Sequence, residues 1–154
     1  MKILSIIFSI ALLFYSCTVT SPAEPPEVEC IDYYGNAAWT LTDSTFTAIL
    51  STNFTGTLTG AFIDTDSGRV LVATLTGTLV PDIGDRKRLF TKTGSLVMAG
   101  IFSQANGEYT CRLWATGEGT DGLKGTTGDL DLNWPITDDT IYYVGTFCMV
   151  PNPE

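Results

Sequence analysis

From residue 53 to 63 the chain reads NFTGTLTGAFI, in which threonine alternates with large apolar residues and glycine. Phe54, Gly56, Leu58, Gly60 and Phe62 fall on one face of an extended strand, and Thr55, Thr57 and Thr59 on the other. GRVLVATLTGTLV, residues 68–80, repeats the pattern, with Leu71, Ala73, Leu75, Gly77 and Leu79 opposed to Thr74, Thr76 and Thr78. No stretch beyond residue 37 keeps a helical spacing of apolar residues for more than a turn or two. The turn clusters DTDSG, PDIGD, ANG, GTDG and PITDD separate strand candidates at 28–34, 37–43, 45–51, 53–63, 69–80, 88–103 (interrupted at Gly94), 107–117, 124–133 and 140–150. Long consecutive strands joined by short polar turns form an antiparallel meander. With about eight of them, closure removes the exposed edges. The pattern therefore predicts an all-β fold, a small closed antiparallel β-barrel of about eight strands.

Parity along these strands nominates the residues that line the lumen: Phe54, Leu58, Phe62, Leu71, Leu75, Met98, Phe102 and Leu113. All are apolar, so an enclosed ligand would be an apolar small molecule. Glycines interspersed with them suit a narrow barrel, where a side chain at each inward bend would collide across the lumen. Val97, Ala99 and Ile101 are apolar on the face opposite Leu96, Met98 and Phe102. A strand apolar on both sides is covered on both sides, which predicts either a homo-oligomer interface or cover by the N-terminal segment.

The N-terminus changes the picture. Met1 and Lys2 precede ILSIIFSIALLFY, an apolar run of the length of a signal-peptide core and short for a membrane span. The run ends in FYSC, which resembles the lipobox at which bacterial lipoproteins are cleaved and acylated, here on Cys17. Phe14 stands where that motif usually has leucine. The segments that follow are 1–16, a cleaved signal peptide; 17–27, a Pro/Thr/Ser/Glu-rich tether; 28–150, the barrel; and 151–154, a tail. The alternative is secretion with cleavage after Ala23. Both readings export the protein, the first leaving it on the membrane through its lipid. An exported chain meets an oxidising compartment. With Cys17 consumed, Cys30, Cys111 and Cys148 remain, enough for one internal bond. The first strand of a closed meander starts beside the end of the last, which pairs Cys30 with Cys148. The rival pairing is Cys111 with Cys148.

Charge and composition narrow the chemistry. The formal charge is −9 and there is no histidine, so a phosphate backbone is repelled and nucleic acid is not an expected partner. Absence of histidine removes Ser-His-Asp catalysis, His-based zinc hydrolysis and His proton shuttles. GEGTDG at 117–122 matches the dinucleotide-binding glycine pattern. The helix such a loop requires is missing, since TTGDLDLNWP is a strand pattern, and Glu118 and Asp121 would repel phosphates. The pairs Asp64/Asp66, Asp129/Asp131 and Asp138/Asp139 are read as solvated turn and strand residues rather than Ca²⁺ ligands. No metal and no cofactor is implied. Arg86, Lys87, Arg88 and Lys92 form a basic cluster read as an exposed hairpin, with an anionic ligand or lipid headgroup as the alternative. Trp39, Trp114, Trp134, Tyr33, Tyr34, Tyr142 and Tyr143 are read as core or rim packing, with stacking on sugars or a phenolic ligand as the alternative.

ATGEGTDGLKGTTGDLDL at 115–132, with YYVGTF at 142–147, resembles the GTG-x-L-x-G-x-TG pattern of the allene oxide cyclase-like and dirigent-like β-barrels. FTGTLTG and TLTGTLV resemble the Thr/Gly-rich central strands of the same group, so the resemblance spans residues 45–149. It implies a barrel that often self-associates. It transfers no catalytic residue, because the polar lumen positions of the plant enzymes have no match here. Two functions follow as expectations. The first is an exported lipoprotein whose barrel is an apolar-ligand-binding or structural/interaction module. The second is a cyclase- or dirigent-like enzyme that steers a reactive small molecule in the lumen.

Overall fold

The computed structural model describes residues 26–153. The expected signal peptide, the lipidation site Cys17 and the alternative cleavage after Ala23 lie outside these residues. Eight strands, β1 Glu29–Leu41, β2 Thr45–Thr52, β3 Phe54–Thr65, β4 Gly68–Leu79, β5 Lys92–Ala105, β6 Glu108–Gly119, β7 Thr127–Pro135 and β8 Thr140–Met149, follow one another around a closed antiparallel barrel. Each strand pairs with its sequence neighbours. The seam is closed by β1 and β8, from Glu29 opposite Met149 to Ala38 opposite Thr140. The expected all-β barrel is thus the fold, and every strand finds two partners, so no edge is left to template aggregation.

Threonine and branched residues favour these strands because they pack well on a pleated surface. The two-residue period places Leu58, Leu71 and Leu75 fully inside and Thr57, Thr59, Thr74 and Thr76 outside. The β3–β4 register sets threonine opposite threonine on the outer wall (Thr55–Thr78, Thr57–Thr76, Thr59–Thr74). Inside the wall, Gly56 faces Gly77, and Gly77 faces Gly94 on β5. A Cβ on Gly77 would lie 2.7 Å from the Gly56 Cα and 2.9 Å from the Phe54 ring. The bare backbones let Phe54 lie against the wall, which is how this barrel bends and fills at the same point.

The structure corrects three local expectations. The candidates at 28–34 and 37–43 are one strand, β1, because Gly35 and Asn36 stay in register with both β2 and β8. Gly35 makes room for Tyr143, whose hydroxyl would sit 2.5 Å from a Cβ there. The Tyr143 hydroxyl donates to the Ser51 carbonyl and accepts from the Phe54 N–H at 3.1 Å. The strand expected from residue 88 starts at Lys92 instead. Residues 84–86 form a 3₁₀ turn and Lys87–Phe90 a single helical turn, α1, which inserts Phe90 into the barrel end. Gly94 does not interrupt β5. Asn152, expected in a tail, is docked: its N–H bonds the Leu89 carbonyl at 2.7 Å and its side-chain amide reaches the Arg88 and Thr91 carbonyls. These are the carbonyls that a one-turn helix leaves without intrahelical donors.

Two plugs close the interior. At the end where β1 begins and β8 finishes, Phe90, Leu123 and Met149 are buried, and the Tyr33 hydroxyl donates to the Phe90 carbonyl at 3.3 Å. At the other end Trp134 lies 5.4 Å from Trp39, 5.8 Å from Phe46 and 5.3 Å from Tyr109 between ring centroids. Phe102 stacks on Tyr109 and tilts against Phe62. Rings at these distances gain edge and offset contacts beyond the area they bury.

Candidate functional site

All eight lumen candidates point inward. Phe54, Leu58, Leu71, Leu75, Met98 and Leu113 are at most 1% exposed, Phe102 is 8% exposed, and Phe62 is half-buried against the same cluster. They meet one another and the two aromatic plugs, forming one continuous core. Burial of this kind stabilises the barrel by about 1.5–3 kcal/mol for each large aliphatic or aromatic side chain.

Among the described residues, the titratable groups that are fully buried inside are Tyr33, Tyr143 and Cys111. Burial raises the Tyr33 phenol well above its ordinary value. Burial also raises Tyr143, with the Phe54 N–H bond acting in the opposite direction. Burial pushes the Cys111 thiol up to about 12, and the Asp131 carboxylate adds to the effect. A neutral thiol and two neutral phenols are weak nucleophiles and weak bases at pH 7. The buried polar residues among those described are Asn53 and Thr126, and no carboxylate joins them.

The cysteines divide by face. Cys30 and Cys148 are register partners on the outside of the β1–β8 seam and form a disulfide, with Cα atoms 3.9 Å apart. Cys111 faces inward, is 2% exposed and is free. The rival Cys111–Cys148 pairing is therefore not made.

The carboxylate pairs serve local structure. Asp64 pairs with Arg69 at 3.1 Å, and the Asp138 carboxylate accepts from the Thr140 N–H at 3.0 Å. Among the described residues no group of three or more His, Cys, Asp or Glu is placed to hold a metal ion. Arg86, Lys87 and Arg88 lie on the helical turns at the barrel end rather than on a hairpin. Arg86 bonds both oxygens of Glu29, at 2.7 and 2.6 Å. Lys92 begins β5 beside Asn152. The glycine pattern at 117–122 ends β6 and enters a 3₁₀ turn, Asp121–Leu123, before β7. No helix follows it to hold a phosphate.

The aromatic residues split cleanly between faces. Trp39, Trp134, Tyr33 and Tyr143 point inward, whereas Tyr34, Trp114 and Tyr142 point outward and are 51%, 43% and 59% exposed. Sequence reasoning grouped all seven as packing residues. The signal that separates them was present: Trp114 shares parity with Arg112, and both alternate with the inward Cys111 and Leu113. Around Trp114 the outer wall carries a cluster of charged groups. Arg112 Nη2 donates to Asp129 at 3.0 Å, Arg112 Nε lies 3.5 Å from Asp131, and the guanidinium carbon sits 5.6 Å from the Trp114 ring centre.

A second outer feature is an apolar strip across β3, β4 and β5. Ile63, Val70 and Ile101 form one register row, and Ala61, Val72 and Ala99 the next. Ile63 and Ile101 are 52% and 60% exposed, so no described segment covers this strip. Ala99 within the strip and Val97 beside it are half-buried. No protein-family description, no curated protein and no solved structure matches this chain.

Proposed function

We propose that this chain is an exported barrel, held at the cell envelope by lipid on Cys17, that works as a structural or interaction module through its outer wall. The observation that carries this reading is the filled interior. The eight lumen positions are occupied by side chains that pack on one another, and the wall outside them bears an exposed apolar strip. The Cys30–Cys148 bond agrees with an oxidising compartment. The glycine pattern shared with allene oxide cyclase-like barrels supports kinship with that group, and a second copy of the chain is the partner that best suits the strip.

Two experiments test this. Detergent-phase partitioning of the protein from a bacterial host is expected to place the wild type with the membrane fraction and Cys17→Ser with the soluble one. Equal partitioning would remove the anchor. Sedimentation velocity is expected to show concentration-dependent association that Val72→Lys and Ile101→Lys abolish with the melting curve unchanged. A monomer at all concentrations would remove self-association.

A further inference from the structure

We infer that the outer wall of β5–β7 holds a binding site for a neutral saccharide, centred on Trp114. The register places three short rows side by side: Ala99, Trp114 and Asp129; Ile101, Arg112 and Asp131; Ser103, Thr110 and Asn133. Between them is a depression of about 400 Å³, lined by Ser103, Thr110, Arg112, Trp114, Asp131 and Asn133 among others. That volume falls within the range of small-molecule sites.

The chemistry of the lining selects the ligand. An exposed indole on a rigid strand offers a flat apolar surface, which suits the C–H face of a pyranose ring. Arg112 contacts two carboxylates and the edge of the ring, so its guanidinium and the carboxylates form one connected polar border beside the indole. The Arg112 contact to Asp131 uses only Oδ1, and the Asp131 side chain is 46% exposed, leaving acceptor capacity for sugar hydroxyls. The Asn133 amide supplies two donors and an acceptor, and the Ser103 and Thr110 hydroxyls, bonded to each other at 2.6 Å, supply more. A hydroxyl-rich ring matches such a mixed donor and acceptor set. Two carboxylates against one guanidinium leave the site net negative, which disfavours phosphates and acidic ligands. A purely apolar ligand would strip water from half-exposed ions without replacing their hydrogen bonds. The site does not depend on lipid anchoring, and it shares Ile101 and Ala99 with the edge of the apolar strip, so it is titrated at protein concentrations where sedimentation shows a monomer.

The test uses intrinsic fluorescence and calorimetry on the purified protein, titrated with cellotetraose, laminaritetraose, maltotetraose and triacetylchitotriose. Trp114 is the outward one of three tryptophans, so a ligand at this wall changes its emission selectively. At least one oligosaccharide is expected to bind saturably. Trp114→Ala is expected to weaken that binding about tenfold or more, Trp114→Tyr to hold it within about threefold, and Asp131→Asn to weaken it. Thr57→Ala, on the β3 wall, is expected to leave it unchanged. Circular dichroism and the melting midpoint check that each variant is folded. No saturable signal with any of the four sugars, binding that survives Trp114→Ala, or saturation by sodium phosphate or tetramethylammonium instead would each overturn the assignment.

Discussion

Reduction of the Cys30–Cys148 bond removes a covalent clamp from the seam without touching the core. The bond joins register partners on the outer wall, and Cys30 is exposed, so a phosphine reductant reaches it in the folded protein. The residues it links are 118 positions apart. In the chain-entropy description, closing a loop of that length restricts the unfolded state by about 5 kcal/mol at 25 °C. That equals a large fraction of the 5–15 kcal/mol that typically separates a domain from its unfolded state. The hydrogen-bonded pairs of β1 and β8 remain after reduction. The barrel should therefore keep its circular dichroism at 25 °C and lose its margin on heating. The expected drop in melting midpoint is on the order of 15 °C. The assay is thermal and urea unfolding with and without reductant, repeated on Cys30→Ser with Cys148→Ser. In the folded barrel the buried Cys111 thiol faces the other side of the wall, away from the Cys30–Cys148 bond. A midpoint that moves by only a degree or two would show that the bond does not restrict the unfolded chain, and the loop argument would fail.

Three further outcomes follow from the packing. Gly77→Ala places a methyl 2.7 Å from the Gly56 backbone, and Gly77 has a φ of +153°. It is expected to destabilise by about 1–3 kcal/mol in urea melts, and a neutral result would remove the close-approach account of these glycines. Leu58→Ala leaves a hole in the core and should cost about 2–5 kcal/mol, whereas Thr57→Ala on the outer wall should stay within about 0.5 kcal/mol. Equal effects at the two positions would contradict the assignment of faces. Cys111, Tyr33 and Tyr143 all have folded pKa values above their ordinary ones. Their contribution is complete below those ordinary values. Above them the unfolded chain loses protons first, so stability falls as pH rises. The decline should begin above the ordinary thiol value of 9.0 and continue past 10.0. Tyr143→Phe should make it shallower, and a flat stability profile through that range would contradict the burial of these groups.

The barrel was legible because its alternation is unusually clean. In β3 and β4, threonine on every second position leaves one register that buries Leu58, Leu71 and Leu75 together. Closure also made the cysteine pairing readable, since only a sealed meander brings residue 30 beside residue 148. What escaped were features set by tertiary context. Gly35 and Asn36 look like a break between two strands, yet two neighbouring strands hold them extended and Tyr143 fills the space beside the glycine. Leu89 and Phe90 look like the start of a strand. Four residues are too few to tell a two-residue period from a helical one, and the barrel end decides for the helix. The Asn152 dock has no sequence signal, because its partners are backbone carbonyls. Parity separated Trp114 from Trp134, but the depression beside Trp114 depends on how β6 and β7 align.

The claim beneath the proposed function is that the interior is solid and recognition happens outside. Cys111 reports on this directly, since its thiol faces the core and is 2% exposed. Iodoacetamide labelling of the native protein at neutral pH, resolved by peptide mapping, should leave Cys111 unmodified for hours and label it at once in guanidinium. Prompt native-state labelling would mean an open, accessible lumen and would contradict the account.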